Sequence, residues 1–132
     1  MLAMTRVVLS RGRSQSLQWL KSSYSTMSTK QFVDEQIESH KVVVFAKSDC
    51  PFSQKAKATL EAQNLKPGAM EYTNIDERPD FQEIKDYLKL LTGAGSTPRV
   101  FIGQKFFGGG DDTEAAGKDG RLATHLKEAG AI

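Results

Sequence analysis

Residues 41–46 form a short, valine-rich apolar run, and the chain then reaches Cys50 and Pro51 within a few residues. A run of this kind predicts a strand buried on both faces, which obliges the rest of the chain to cover a sheet with helices. Pro51 suits the first turn of a helix, where no N–H is needed. The stretch from Val42 to Ser53 therefore reads as a strand ending at a thiol, with a helix opening just beyond it. Unpaired N–H groups and the helix dipole favour negative charge there, and the thiolate is the reactive form of cysteine. Cys50 is the only cysteine in the chain. No internal disulfide can form, and any redox cycle takes its second sulfur from another molecule.

The remaining elements follow from pattern and punctuation. Ser28-Thr29-Lys30-Gln31 has the form of a capping box, and Phe32, Val33 and Ile37 continue it as a helix over residues 29–39. The helix opened by Pro51 extends to about Gln63, with Ala56, Leu60 and Ala62 facing inward. Pro67-Gly68 marks a turn. Glu71 to Ile75 is a second, more polar strand. Pro79 opens the next helix, with Phe81, Ile84, Leu88 and Leu91 at the helical period, and Gly93 and Gly95 end it. Arg99 to Ile102 is a third strand, Gly103-Gln104 a two-residue turn, and Lys105 to Phe107 a fourth strand. Gly108-Gly109-Gly110 breaks it, Asp111-Asp112 starts a short helix, and a last helix covers residues 119–129 with Leu122 and Leu126 on one face. The order α-β-α-β-α-β-β-α-α implies an α/β fold with a mixed sheet flanked by helices. In open sheets of this kind ligands sit at the carboxyl ends of strands, where Cys50 lies.

Charge divides the 132 residues unevenly. The net charge is +2, yet residues 1–33 carry five basic residues and no acid, leaving 13 basic and 16 acidic groups in residues 34–132. Residues 1–27, rich in serine and arginine, have the composition of a mitochondrial transit peptide, with a plastid one as the alternative and a disordered polar leader also compatible. They are too polar for a membrane span. Translation from Met27 would give a cytoplasmic form of the body, residues 28–132. Lysines interleaved with acids in the body give no patch for nucleic acid, and no membrane partner is expected. His40 and His125 have no metal-ligand spacing, so no metal site is expected.

Four separated motifs then resemble the glutaredoxin family, a branch of the thioredoxin fold. They are Lys47-Ser48-Asp49-Cys50-Pro51-Phe52-Ser53, Thr92-Gly93, Ser96-Thr97-Pro98-Arg99-Val100-Phe101-Ile102, and Gly108-Gly109-Gly110-Asp111-Asp112. The resemblance spans about residues 30–132 and implies a four-stranded mixed sheet flanked by helices. The chain departs from the family's dithiol pattern, Cys-Pro-Tyr-Cys, by having Phe52 for the tyrosine and Ser53 for the second thiol. It also lacks the Trp-Pro insertion of the common monothiol class. It looks like a dithiol-type body with a monothiol site.

The resemblance implies roles. Cys50 is the catalytic nucleophile, supported by Pro51, by Phe52 as an apolar wall and by Ser53 as a hydrogen-bond donor. Lys47 helps hold the thiolate and, with Lys85, the glycyl carboxylate of glutathione. Pro98 follows a cis bond, and the Thr97 backbone pairs with the cysteinyl portion. Gly110, Asp111 and Asp112 take the γ-glutamyl end. The expected activity is glutathione-dependent reduction of protein–glutathione mixed disulfides by a monomer that uses glutathione as reductant and co-substrate. The alternative is a cluster carrier, in which Cys50 thiolates from two chains and two glutathiones hold a [2Fe-2S] cluster. Pro51 counts against it, because that class has glycine there.

Overall fold

The computed structural model describes residues 28–132; the leader, residues 1–27, lies outside the described residues. Helix α1 spans Thr29–Ser39. Its predicted capping box is present: the Gln31 N–H donates to Ser28 Oγ at 3.1 Å, and the Ser28 N–H donates to Gln31 Oε1 at 2.9 Å. Then come β1 (Val42–Ala46), α2 (Pro51–Glu61), β2 (Met70–Asn74) and a 3₁₀ turn (Ile75–Glu77). They are followed by α3 (Phe81–Thr92), β3 (Arg99–Ile102), β4 (Lys105–Gly108), α4 (Gly110–Asp119) and α5 (Arg121–Ala129). Residues Val33–Ile132 form one compact unit.

The four strands make one mixed sheet in the order β2-β1-β3-β4. β1 runs parallel to β2, with Ala46 opposite Asn74, and antiparallel to β3, with Val42 opposite Ile102. β3 and β4 form a hairpin. Its turn, Gly103-Gln104, has both residues at positive φ, 60° and 69°, the left-handed geometry that lets a two-residue loop follow the strands' own twist.

β1 is central and every one of its residues is buried, as its unbroken apolar run requires. Alternation then splits the core between the two faces of the sheet. Val42, Val44, Ala46, Val100 and Ile102 pack with Ala56 and Leu60 of α2, Ala116 of α4, and Leu122 and Leu126 of α5. On the other face Phe45 meets Phe101 edge-on at 5.8 Å, and Phe101 meets Phe106 at 5.6 Å. Val33, Ile37, Ile84 and Leu88 are buried on α1 and α3, and Tyr87 donates a 2.6 Å hydrogen bond to Asp34 to tie those two helices together.

The expected elements are all present, with shifted ends. α2 stops at Glu61, and Ala62, expected inward, is the exposed cap residue beyond it. Pro79 does not open α3. The chain first makes the 3₁₀ turn, with Ile75 fully buried in it, and Pro79 sits in a second turn where Arg78 grips Asp80 at 2.9 Å. Leu91 is 43% exposed, because α3 has by then reached a groove it shares with Ile37, Phe101 and Phe106. α4 begins one residue earlier than expected and runs for ten residues.

Candidate active site

Cys50 stands at the N-cap of α2 with extended backbone, φ −101° and ψ 113°, and Pro51 takes the first helical position. The loop before it is tightly folded. The Cys50 N–H donates to the Lys47 carbonyl at 3.2 Å, and its own carbonyl accepts the Gln54 N–H at 3.1 Å. The loop is also tied across the sheet. Asp76, just past the end of β2, accepts the Ser48 N–H at 3.0 Å and the Ser48 hydroxyl. The Ser48 hydroxyl is the main cause holding the Asp76 carboxyl below its usual range, against a smaller effect of burial.

Ser53 is fully buried, one turn into α2, and its hydroxyl oxygen accepts the Lys47 N–H at 3.3 Å. It is thus no ordinary surface serine. From the other side Thr97, whose peptide bond to Pro98 is cis, brings its hydroxyl to 3.4 Å from the Cys50 sulfur. The Thr97 carbonyl lies 3.7 Å from the same sulfur.

These contacts determine the acidity of the thiol. Burial is the largest single influence and pushes the Cys50 thiol up. Hydrogen bonds from the Ser53 and Thr97 hydroxyls and from the Ser53 and Phe52 backbone N–H groups together outweigh it, so the pKa falls below that of an ordinary cysteine. No charged side chain is among the causes. The charge of Lys47 acts on Asp76 instead, and what Lys47 brings to the thiol loop is its backbone. The thiolate's field reaches Tyr72 on β2, whose phenol is pushed up first by burial and then by Cys50.

The third wall is the start of α4. A side chain at Gly110 would place its Cβ 2.7 Å from the Phe52 carbonyl oxygen, so only glycine lets α4 abut the cysteine helix. Asp112 accepts the Gly109 N–H at 3.1 Å, and Asp111 pairs with Lys55 of α2 at 2.9 Å. Phe52 is half-exposed, and its ring centre lies 5.0 Å from Lys55 Nζ. Cys50, Pro51, Phe52, Ser53, Thr97, Pro98, Gly110, Asp111 and Asp112 thus converge on one end of the sheet. Lys85 is not joined to them by any described contact; its Nζ lies 5.3 Å from the centre of the Phe81 ring on its own helix.

Two supporting residues escaped the sequence reading. Asp76 gives no sign of its role until the β1–β2 register is known. Arg99 donates to the Pro98 carbonyl at 3.1 Å, lies 5.0 Å over the Phe106 ring and feels the charge of Asp112, so it links the Thr97–Pro98 loop to the start of α4. Among the described residues no group of three or more His, Cys, Asp or Glu side chains could hold a metal ion.

A thioredoxin-fold sheet that ends in an acidified thiol at a helix start defines the class of thiol–disulfide oxidoreductases. Comparison with known proteins narrows the class. The glutaredoxin family model matches residues 42–107. Glutaredoxin-1 of Sus scrofa is 45% identical over 101 residues, covering 76% of this chain and 95% of the relative. Glutaredoxin-C8 of Oryza sativa is 40% identical over 103 residues, covering 76% of this chain and 74% of the relative. Among solved structures, oxidized glutaredoxin 2 from Chlamydomonas reinhardtii superposes with a TM-score of 0.73 at 39% identity, covering 79% of this chain and 95% of that one. A buckwheat glutaredoxin–glutathione complex gives 0.72 at 30% identity, covering 79% and 92%. The chain belongs to the glutaredoxin family, and its single cysteine is consistent with a monothiol-type site.

Proposed function

We propose that the protein reduces glutathione mixed disulfides by a monothiol mechanism. The observation that carries this reading is an acidified thiol in a chain with no second cysteine. The Cys50 thiolate attacks the glutathionyl sulfur, the old S–S bond breaks, and the substrate leaves as a thiolate that takes a proton from solvent. Cys50 now carries glutathione. A second glutathione thiolate attacks the sulfur of that glutathione, releases Cys50 and leaves oxidised glutathione. The net reaction turns one mixed disulfide and one glutathione thiol into the free substrate thiol and oxidised glutathione, so the substrate sulfur is reduced at the expense of the incoming glutathione.

The three walls support a binding frame for glutathione. The Thr97 backbone, beside the sulfur, pairs with the cysteinyl portion of glutathione, and Pro98 and Phe52 flank it. The N-terminus of α4 at Gly110, Asp111 and Asp112 takes the γ-glutamyl end. Lys47 and Lys85 lie outside those walls and are assigned to the glycyl carboxylate on the family resemblance alone. The solved buckwheat complex with glutathione supports glutathione as the ligand. Glutathionylated proteins are the partners, the chain acts as a monomer, and residues 1–27 direct it to mitochondria. Import of the full chain into isolated mitochondria, lost when residues 1–27 are deleted, is the expected result for that last point.

The deciding experiment is turnover of a small glutathionyl mixed disulfide by the full chain, coupled to glutathione, glutathione reductase and NADPH. Turnover that disappears in Cys50→Ser is expected. Turnover retained in Cys50→Ser removes the nucleophile assignment. Little turnover from a protein that carries iron and visible charge-transfer absorption would replace the reading with cluster carriage.

A further inference from the structure

The first turn of α4 carries two carboxylates, and they have different partners. Asp112 is occupied locally by the Gly109 N–H at 3.1 Å. Asp111 is 76% exposed, and a cation from another helix covers it: Lys55 Nζ lies 2.9 Å from its Oδ1. The same Nζ is 3.6 Å from Glu114 and 5.0 Å from the centre of the Phe52 ring. Two carboxylates and an aromatic face therefore hold one ammonium in place, although the aspartate it neutralises is open to solvent.

The position gives this pairing a consequence. α4 meets the Phe52 backbone with no room for a side chain at Gly110, so a molecule bonded to Cys50 and lying along Phe52 next reaches the N-terminus of α4. The free N–H groups and dipole of that terminus attract an anion. An uncompensated Asp111 in the same turn would repel it, and the two effects are of similar size. Lys55 cancels the repulsion.

We propose that Lys55 is a positioning and specificity residue. By pairing with Asp111 it keeps the α4 N-terminus receptive to the α-carboxylate of a γ-glutamyl group. The inference rests on the glutathione reading given above. It assigns Lys55 an effect on recognition, exerted through Asp111, and no contact with the reacting sulfur.

The test uses the full chain as Lys55→Met, Lys55→Arg, Asp111→Asn and Lys55→Met/Asp111→Asn, with circular dichroism to verify that each is folded. KM and kcat are measured for a small glutathionyl mixed disulfide. Lys55→Met is expected to raise KM by about two- to fivefold, the scale of an exposed charge interaction at a helix end. Lys55→Arg restores the wild-type KM. In the double variant most of the rise disappears, because the carboxylate that caused the repulsion is gone. An unchanged KM in Lys55→Met, or an equal rise in the double variant, overturns the proposal. A lower KM also overturns it, since Lys55 would then be competing with the ligand's ammonium. Absence of any glutathionyl turnover in the wild type is a separate failure, that of the glutathione reading itself.

Discussion

At the scale of single residues, the sulfur stands between burial, which raises its pKa, and the hydroxyl and backbone N–H hydrogen bonds that together lower it. Thr97 approaches Cys50 from the β3 side and Ser53 from within α2. A thiol whose pKa is depressed is ionised above that lowered value, so its alkylation rate climbs with pH through it. Ser53→Ala and Thr97→Val each remove a hydrogen bond that favours the charged form. Both are expected to move the climb to higher pH and slow alkylation at neutral pH severalfold, read from iodoacetamide rates across pH. Ser53→Ala carries a second cost, because the Lys47 N–H loses its acceptor. The nucleophile was legible in the sequence from the strand, the thiol and the proline in succession. The role of the hydroxyls was less so. A serine three residues after the cysteine reads equally well as a solvated helix position, and only the packing of α2 makes it fully buried.

At the scale of elements, the site depends on helices that meet closely. Gly110 lets the start of α4 touch the backbone of Phe52. Gly110→Ala would ordinarily be a mild change at a helix start. Here its Cβ would overlap a carbonyl oxygen that cannot move without shifting the cysteine helix. A loss of about 1–3 kcal/mol in urea denaturation is expected, together with a raised KM for the glutathionyl substrate. Among the described residues the periodicities placed the five helices and four strands, because hydrophobic spacing, proline and glycine are local signals. The ends that moved belong to non-local causes. Pro79 carried a valid helix-start signal, but the Arg78–Asp80 ion pair and the 3₁₀ turn before it hold the proline in a turn of its own. The tie from Asp76 to Ser48 spans 28 residues. It exists because parallel pairing of β1 and β2 sets Ala46 beside Asn74, and a pairing register is not written in either strand alone.

At the scale of the whole molecule, the sheet has a core on each face and both rest on the same two central strands. Leu60 is fully buried on one side and Leu88 on the other. Leu60→Ala and Leu88→Ala are each expected to cost about 2–5 kcal/mol. Each should leave a single unfolding transition with an unchanged denaturant slope, because β1 and β3 couple the two faces. A biphasic curve for either variant would show the faces to unfold separately. The body's charges are numerous and nearly balanced, yet none of them is among the causes that acidify Cys50. Dissolved ions screen charges over about 30 Å at 0.01 M salt and about 3 Å at 1 M, but they do not screen a hydrogen bond made at contact. The hydrogen bonds that lower the Cys50 pKa are therefore expected to hold across that range of salt. Alkylation by neutral iodoacetamide should vary by less than about twofold across that range of salt. Recognition through Lys55 and Asp111 should weaken over the same range, so one small site joins a thiol acidified by contact hydrogen bonds to a salt-sensitive grip on its substrate.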